Sequence, residues 1–166
     1  MSTHSTAHMG VDLAVLGVVV DSDPVDAEPS NLVELARSQF GEQGELVPPE
    51  GHLLALARVA AGFLRTSPVP GGAAADAQRL VVQSFVHAAF GWWRRDPGEY
   101  VRLATLLDDV FRQREIRVPD GGTMEMLLAI AVSLLRRRRV PATATSAQLA
   151  VADWLSSLYL AGLEDW

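Results

Sequence analysis

Residues 124–135, MEMLLAIAVSLL, constrain this chain more than any other segment, because only Glu125 and Ser133 interrupt twelve otherwise apolar positions. Pro119-Asp120-Gly121-Gly122 stands before the stretch, and Arg136, Arg137, Arg138 and Arg139 stand after it. A helix that is apolar on nearly every face has no side to offer water, so it must be central and wrapped by other helices. It is too short to cross a bilayer, which takes about 20 residues, and the other strongly apolar run, residues 13–20, is shorter still. No membrane span is expected.

The remaining segments supply the wrapping. Asn31 followed by Glu34 reads as a capping box for a short helix reaching Phe40 and stopping at Gly41. Residues 50–65 place Leu53, Leu56, Ala57, Ala60 and Leu64 on one face, with Arg58 and Arg65 turned away from it. Residues 73–94 align Val82, Phe85, Val86, Ala89, Phe90 and Trp93 as a stripe. Asp96-Pro97-Gly98-Glu99 is a helix start, and the helix it opens runs to about Arg114, burying Tyr100, Leu103, Leu107, Val110 and Phe111 and pairing Asp108 with Arg112 on its solvent side. A last helix, residues 146–161, buries Ala150, Trp154, Leu155 and Leu158, with Gly162 as its C-terminal cap. The expected fold is all-α, a compact six-helix bundle over residues 30–166.

Residues 1–10 are polar and read as a disordered tail, with His4 and His8 belonging to it. Residues 11–29 combine an apolar segment with an acidic linker. Valines favour a short strand over residues 13–20, although Leu13, Leu16 and Val20 also sit at helical spacing. Residues 18–25, VVVDSDPV, resemble the first motif of haloacid-dehalogenase-type phosphatases, which implies a nucleophile at Asp21 and an acid/base at Asp23. The resemblance spans eight residues. That family needs a parallel sheet, a phosphate-stabilising basic residue and a later acidic pair for magnesium, whereas this chain offers helices and places Asp108 and Asp109 in the middle of one. The two aspartates therefore read as part of the acidic linker.

Val-Pro occurs at 47–48, 69–70, 118–119 and 140–141, and an offset of 71 superposes the first pair on the second. The same offset aligns Leu32 with Leu103, Leu35 with Leu106, Phe40 with Phe111 and Gly51 with Gly122. The spacing suggests two copies of one three-helix unit packed face to face.

Composition closes several chemistries. The 166 residues include no cysteine, and all 14 basic residues are arginine. Thiolate metal sites, cysteine nucleophiles, disulfides and lysine Schiff bases are thereby excluded, and a reducing, cytoplasmic setting fits best. The net charge of −6 disfavours general nucleic-acid binding. His52 and His87 have no ligand partner at helical spacing, so neither metal nor cofactor is expected and no catalytic residue is assigned. Trp92 and Trp93 beside Arg94 and Arg95 suit an interface, and the four arginines 136–139 suit an acidic partner. The expected function is a non-catalytic helical protein-protein interaction or adaptor module, self-associating as a homodimer through Leu13, Leu16 and their apolar neighbours. The alternative is a small-molecule-binding regulator or enzyme with a pocket lined by Phe85, Trp93, Tyr100, Trp154 and Tyr159.

Overall fold

The computed structural model describes residues 29–44, 46–66, 75–90, 100–114, 117, 119 and 121–163. Expectations for residues 1–28, Leu13, Leu16, Asp21 and Asp23 among them, and for Trp92, Trp93, Arg94, Arg95 and the helix start at 96–99 fall outside these. The described residues form six helices and no strand: α1 (Pro29–Glu42), α2 (Glu50–Thr66), α3 (Ala75–Ala89), α4 (Arg102–Gln113), α5 (Gly121–Arg137) and α6 (Thr145–Ala161). They make one all-α bundle.

α5 sits where its apolar composition requires. Met126, Leu127, Ile130 and Ala131 are fully buried, and the helix packs on α2, α3, α4 and α6. It shares the centre with α2, which packs on α1, α3, α5 and α6. A single apolar face is expected for α2, whereas Ala55, Val59, Ala61, Gly62 and Phe63 are buried as well, with small residues prominent among them. Small residues let helix axes approach closely, and the α2–α6 pair does so. A Cβ on Gly62 would lie 1.8 Å from the Leu158 carbonyl oxygen, and one on Gly162 would lie 1.9 Å from the Arg58 carbonyl oxygen. Glycine is required at both positions because the neighbouring backbone fills the space.

Several local expectations change. Arg58 and Arg65 do not turn away from the core side of α2. Arg58 lies over the Tyr159 ring and donates to its hydroxyl at 3.2 Å, and Arg65 donates to the Ala161 carbonyl at 2.8 Å, where it satisfies the last turn of α6. Their long apolar stems cover the helix contact while the guanidinium heads find oxygen. Gly162 caps α6 as expected, its amide donating to the Leu158 carbonyl at 2.9 Å, but with φ −73° it is not left-handed, and glycine is needed there for space against Arg58. Ala150 is exposed, and α6 instead buries Gln148, Val151 and Ala152. α1 begins at Pro29, so Asn31 lies inside the helix, and Glu34 bonds Arg37 in place of a cap amide. α1 continues through Gly41 to Glu42, and Gly44, with φ +70°, makes the left-handed turn after it.

α5 ends in a complete Schellman motif. The Val140 amide donates to the Leu135 carbonyl at 3.0 Å and the Arg139 amide to the Arg136 carbonyl at 3.0 Å. The left-handed position of such a motif is usually glycine; here it is Arg139, with φ 55°. A non-glycine residue there costs on the order of 1–2 kcal/mol.

The two halves share a pattern. Both ends of α5 lie 71 residues beyond the corresponding ends of α2, and α6 starts 70 residues after α3. At that spacing of 70, Ala77, Gln78 and Val81 match Ala147, Gln148 and Val151, and both glutamines are buried. The principal packing pairs exchange in the same way: α1–α2 with α4–α5, α1–α3 with α4–α6, α2–α3 with α5–α6, and α2–α6 with α5–α3.

Candidate functional site

Ion pairs hold many of the described arginines of this bundle, and the exposed arginines left without a carboxylate partner at the end of α5 mark the candidate site. Arg37 binds Glu34 and Glu50, Arg79 binds Asp76 at 2.6 Å, Arg112 binds Asp108 at 2.6 Å, and Arg114 binds Asp153 at 2.6 Å. The hydrogen bond that Arg37 donates to Glu34, then the one it donates to Glu50, raises its pKa above the ordinary value, and the bond Arg112 donates to Asp108 does the same for Arg112. Arg58 and Arg65 are engaged with α6, as above.

Arg137, Arg138 and Arg139 are different. All three are exposed at the end of α5, and none pairs with a carboxylate among the described residues. Arg136 lies over the Tyr100 ring, 5.7 Å from its centre. Tyr100 is buried and its hydroxyl donates to the Val140 carbonyl, which fixes the start of α4 against the turn after α5. Arg102, two residues on, is exposed and likewise lacks a carboxylate partner among the described residues. Consecutive residues at the end of a straight helix fan around its axis. The left-handed turn at Arg139 breaks that fan, so the run ends in a turned corner of cationic groups near Tyr100, two residues before Arg102, instead of a ring. Guanidinium forks of this kind hold carboxylates or phosphates through two parallel hydrogen bonds.

The histidines fall at the opposite end of α2 and α5. His52 is buried in the first turn of α2, and its Nε2 is 2.7 Å from Oε1 of Glu125 in the first turn of α5. A carboxylate only accepts, so Nε2 carries the proton. The sequence conceals this pair because its members are 73 residues apart on different helices. It clamps the two central helices where they begin. His87 is exposed, 3.2 Å from the Gln43 side-chain nitrogen and edge-on to Phe90. No group of three or more His, Asp or Glu side chains able to hold a metal occurs among the described residues.

The described aromatic residues proposed to line a pocket occupy three separate contacts. Phe85 stacks on Trp154 at 6.5 Å between ring centres, with Phe63 edge-on to both; Tyr159 packs edge-on against Phe111; Tyr100 faces Arg136. A cavity of about 350 Å³ instead opens between α1 and α3, lined by Asn31, Glu34, Leu35, Ser38, Gln78 and Arg79. It is open to solvent and mainly apolar in its lining, and its two charged residues are already engaged with Arg37 and Asp76 respectively.

No helix among the described residues is long and apolar enough to cross a membrane. No known protein family, curated protein or solved structure matches this chain.

Proposed function

We propose that this chain is a non-catalytic helical interaction module of the cytosol, whose arginine end binds an acidic partner and whose apolar segment at residues 13–20 joins two copies. The observation that carries the reading is the arginine end itself. Most other described arginines have a carboxylate, carbonyl, hydroxyl or aromatic-ring partner within the bundle, whereas Arg137, Arg138 and Arg139 are exposed at the end of α5, and Arg102 is exposed two residues after Tyr100, which is tied to the turn that follows α5. A fixed cationic corner steers and orients an acidic ligand without any chemistry of its own. The matching helix boundaries, the shared Ala-Gln-x-x-Val pattern and the exchange of packing pairs support a further element of the proposal, that the two halves are copies of one three-helix unit.

The test is binding of a fluorescein-labelled ten-residue polyglutamate peptide, followed by anisotropy at low ionic strength. The full chain should bind it, with affinity falling steeply as salt is raised through the screening range. Arg137→Gln, Arg138→Gln and Arg139→Gln combined should abolish binding while leaving the helical circular dichroism unchanged. Equal binding by this variant would end the proposal. Self-association is read separately by sedimentation: the full chain should run as a dimer, and Leu13→Asp with Leu16→Asp should return it to monomer. A variant that keeps the dimer mass rejects the apolar segment as the joint.

A further inference from the structure

We infer that the arginine end has an occupant within its own chain: the acidic segment of residues 21–28 docks in cis on the corner formed by Arg102, Arg137, Arg138 and Arg139. The inference rests on reading that corner as a binding surface, and adds what covers it when no partner is present.

Charge makes the first argument. Residues 1–28 contain Asp12, Asp21, Asp23, Asp26 and Glu28 and no arginine, so they carry most of the net charge of −6. Four of those five acids fall within eight residues. The remainder of the chain, with 14 arginines against 15 acids, is close to neutral, and its described cations without carboxylate partners include the four at this corner. The most acidic segment and this cationic corner belong to one molecule, with matching numbers of charges.

Geometry makes the second. α1 runs toward the contact of His52 with Glu125, bringing Arg37 to Glu50 beside it, whereas α5 runs away from that contact. α1 therefore starts, and α5 ends, away from it. Eight residues reach up to about 27 Å when extended, against a radius of gyration of roughly 14 Å for a domain of this size. The reach of the segment joined to Pro29 is thus comparable with the dimensions of the domain itself. Tethering over such a distance gives an effective concentration of about a millimolar. A set of exposed charge pairs too weak to hold a free peptide below about 0.1 mM is then occupied roughly ten to one in cis. An external acidic partner must displace the segment, so the chain's own acids set the threshold for binding.

The absence of native cysteine allows a single reporter. Ser22→Cys in the full chain is labelled with a nitroxide, and paramagnetic broadening of backbone amide signals is recorded at low salt. Broadening is expected at Arg102 and Arg137 to Val140, to vanish in 0.5 M sodium chloride (about a 4 Å screening length), and to be absent when labelled ¹⁴N chain is mixed with unlabelled ¹⁵N chain. In parallel, Asp21→Asn, Asp23→Asn, Asp26→Asn and Glu28→Gln combined should bind the polyglutamate peptide roughly tenfold more tightly than the unaltered chain. No broadening at the corner, broadening that appears equally in the mixed sample, or unchanged peptide affinity would each overturn the inference. If the peptide binds through the arginines without these effects, the corner stands as a binding surface and the segment is not its occupant. If neither the unaltered nor the neutralised chain binds the peptide, the reading of the corner itself fails.

Discussion

Gly62→Ala is expected to destabilise the bundle by about 3 kcal/mol or more, enough to unfold a large fraction of a marginally stable domain. The added methyl would stand 1.8 Å from the Leu158 carbonyl oxygen, about half an ordinary van der Waals separation. Its obstacle is backbone, so no rotamer change relieves it. α2 and α6 would have to move apart, and that contact also holds Arg58 on Tyr159 and Arg65 on the end of α6. Urea unfolding followed by circular dichroism measures the loss. A midpoint within experimental scatter of the unaltered protein would show that the helices do not touch at Gly62. Gly51→Ala is the control, since nothing lies within 4 Å of a Cβ there. It should be neutral or slightly stabilising, as expected for alanine replacing glycine in a helix.

Phe85→Ala should cost about 3–5 kcal/mol, by a different route. Phe85 is fully buried, its ring stacked on Trp154 and edge-on to Phe63 at 5.9 Å. Truncation leaves a void bounded by two aromatic rings that cannot collapse into it without disturbing α2 and α6. The lost stacking adds to the lost burial. The urea midpoint should fall and the emission of Trp154 should change, whereas Phe85→Leu, which fills most of the volume, should recover more than half of the loss. A loss below 1 kcal/mol for the alanine variant would mean that α3 does not seal this part of the core.

These two variants mark the difference between what is visible in a linear sequence and what is not. Phe85 belongs to an apolar stripe at helical spacing, so its burial was legible before any coordinates. Gly62 carries no such mark. A glycine inside an alanine-rich helix reads as a weak point in the helix, and only the approach of α6 turns it into a requirement. The same holds for α2 as a whole: its sequence pattern marks one apolar face, yet it is buried beyond that face and shares the centre with α5.

The candidate site divides in the same manner. Arg136, Arg137, Arg138 and Arg139 stand out as a run, and Asp108 with Arg112 stands out as a pair four residues apart on one helix. His52 with Glu125, Tyr100 with Val140 and Arg114 with Asp153 do not, because each joins residues at least 39 positions apart. Nor does the sequence bring Tyr100, two residues before Arg102, to the arginine run; its bond to the turn after α5 does that. The left-handed conformation of Arg139 was equally hidden, since the residue preference at that position points to glycine.

By itself the sequence determined the all-α class, six helices in order, and burial of the stretch around Ile130, because helical periodicity and an apolar segment without a polar face are local properties that water enforces on any chain carrying them. Tertiary structure alone decided which helices touch, that α2 and α6 meet backbone to backbone, and which cations are left without carboxylate partners among the described residues. Those outcomes depend on distances between residues far apart in the chain, which no local pattern encodes.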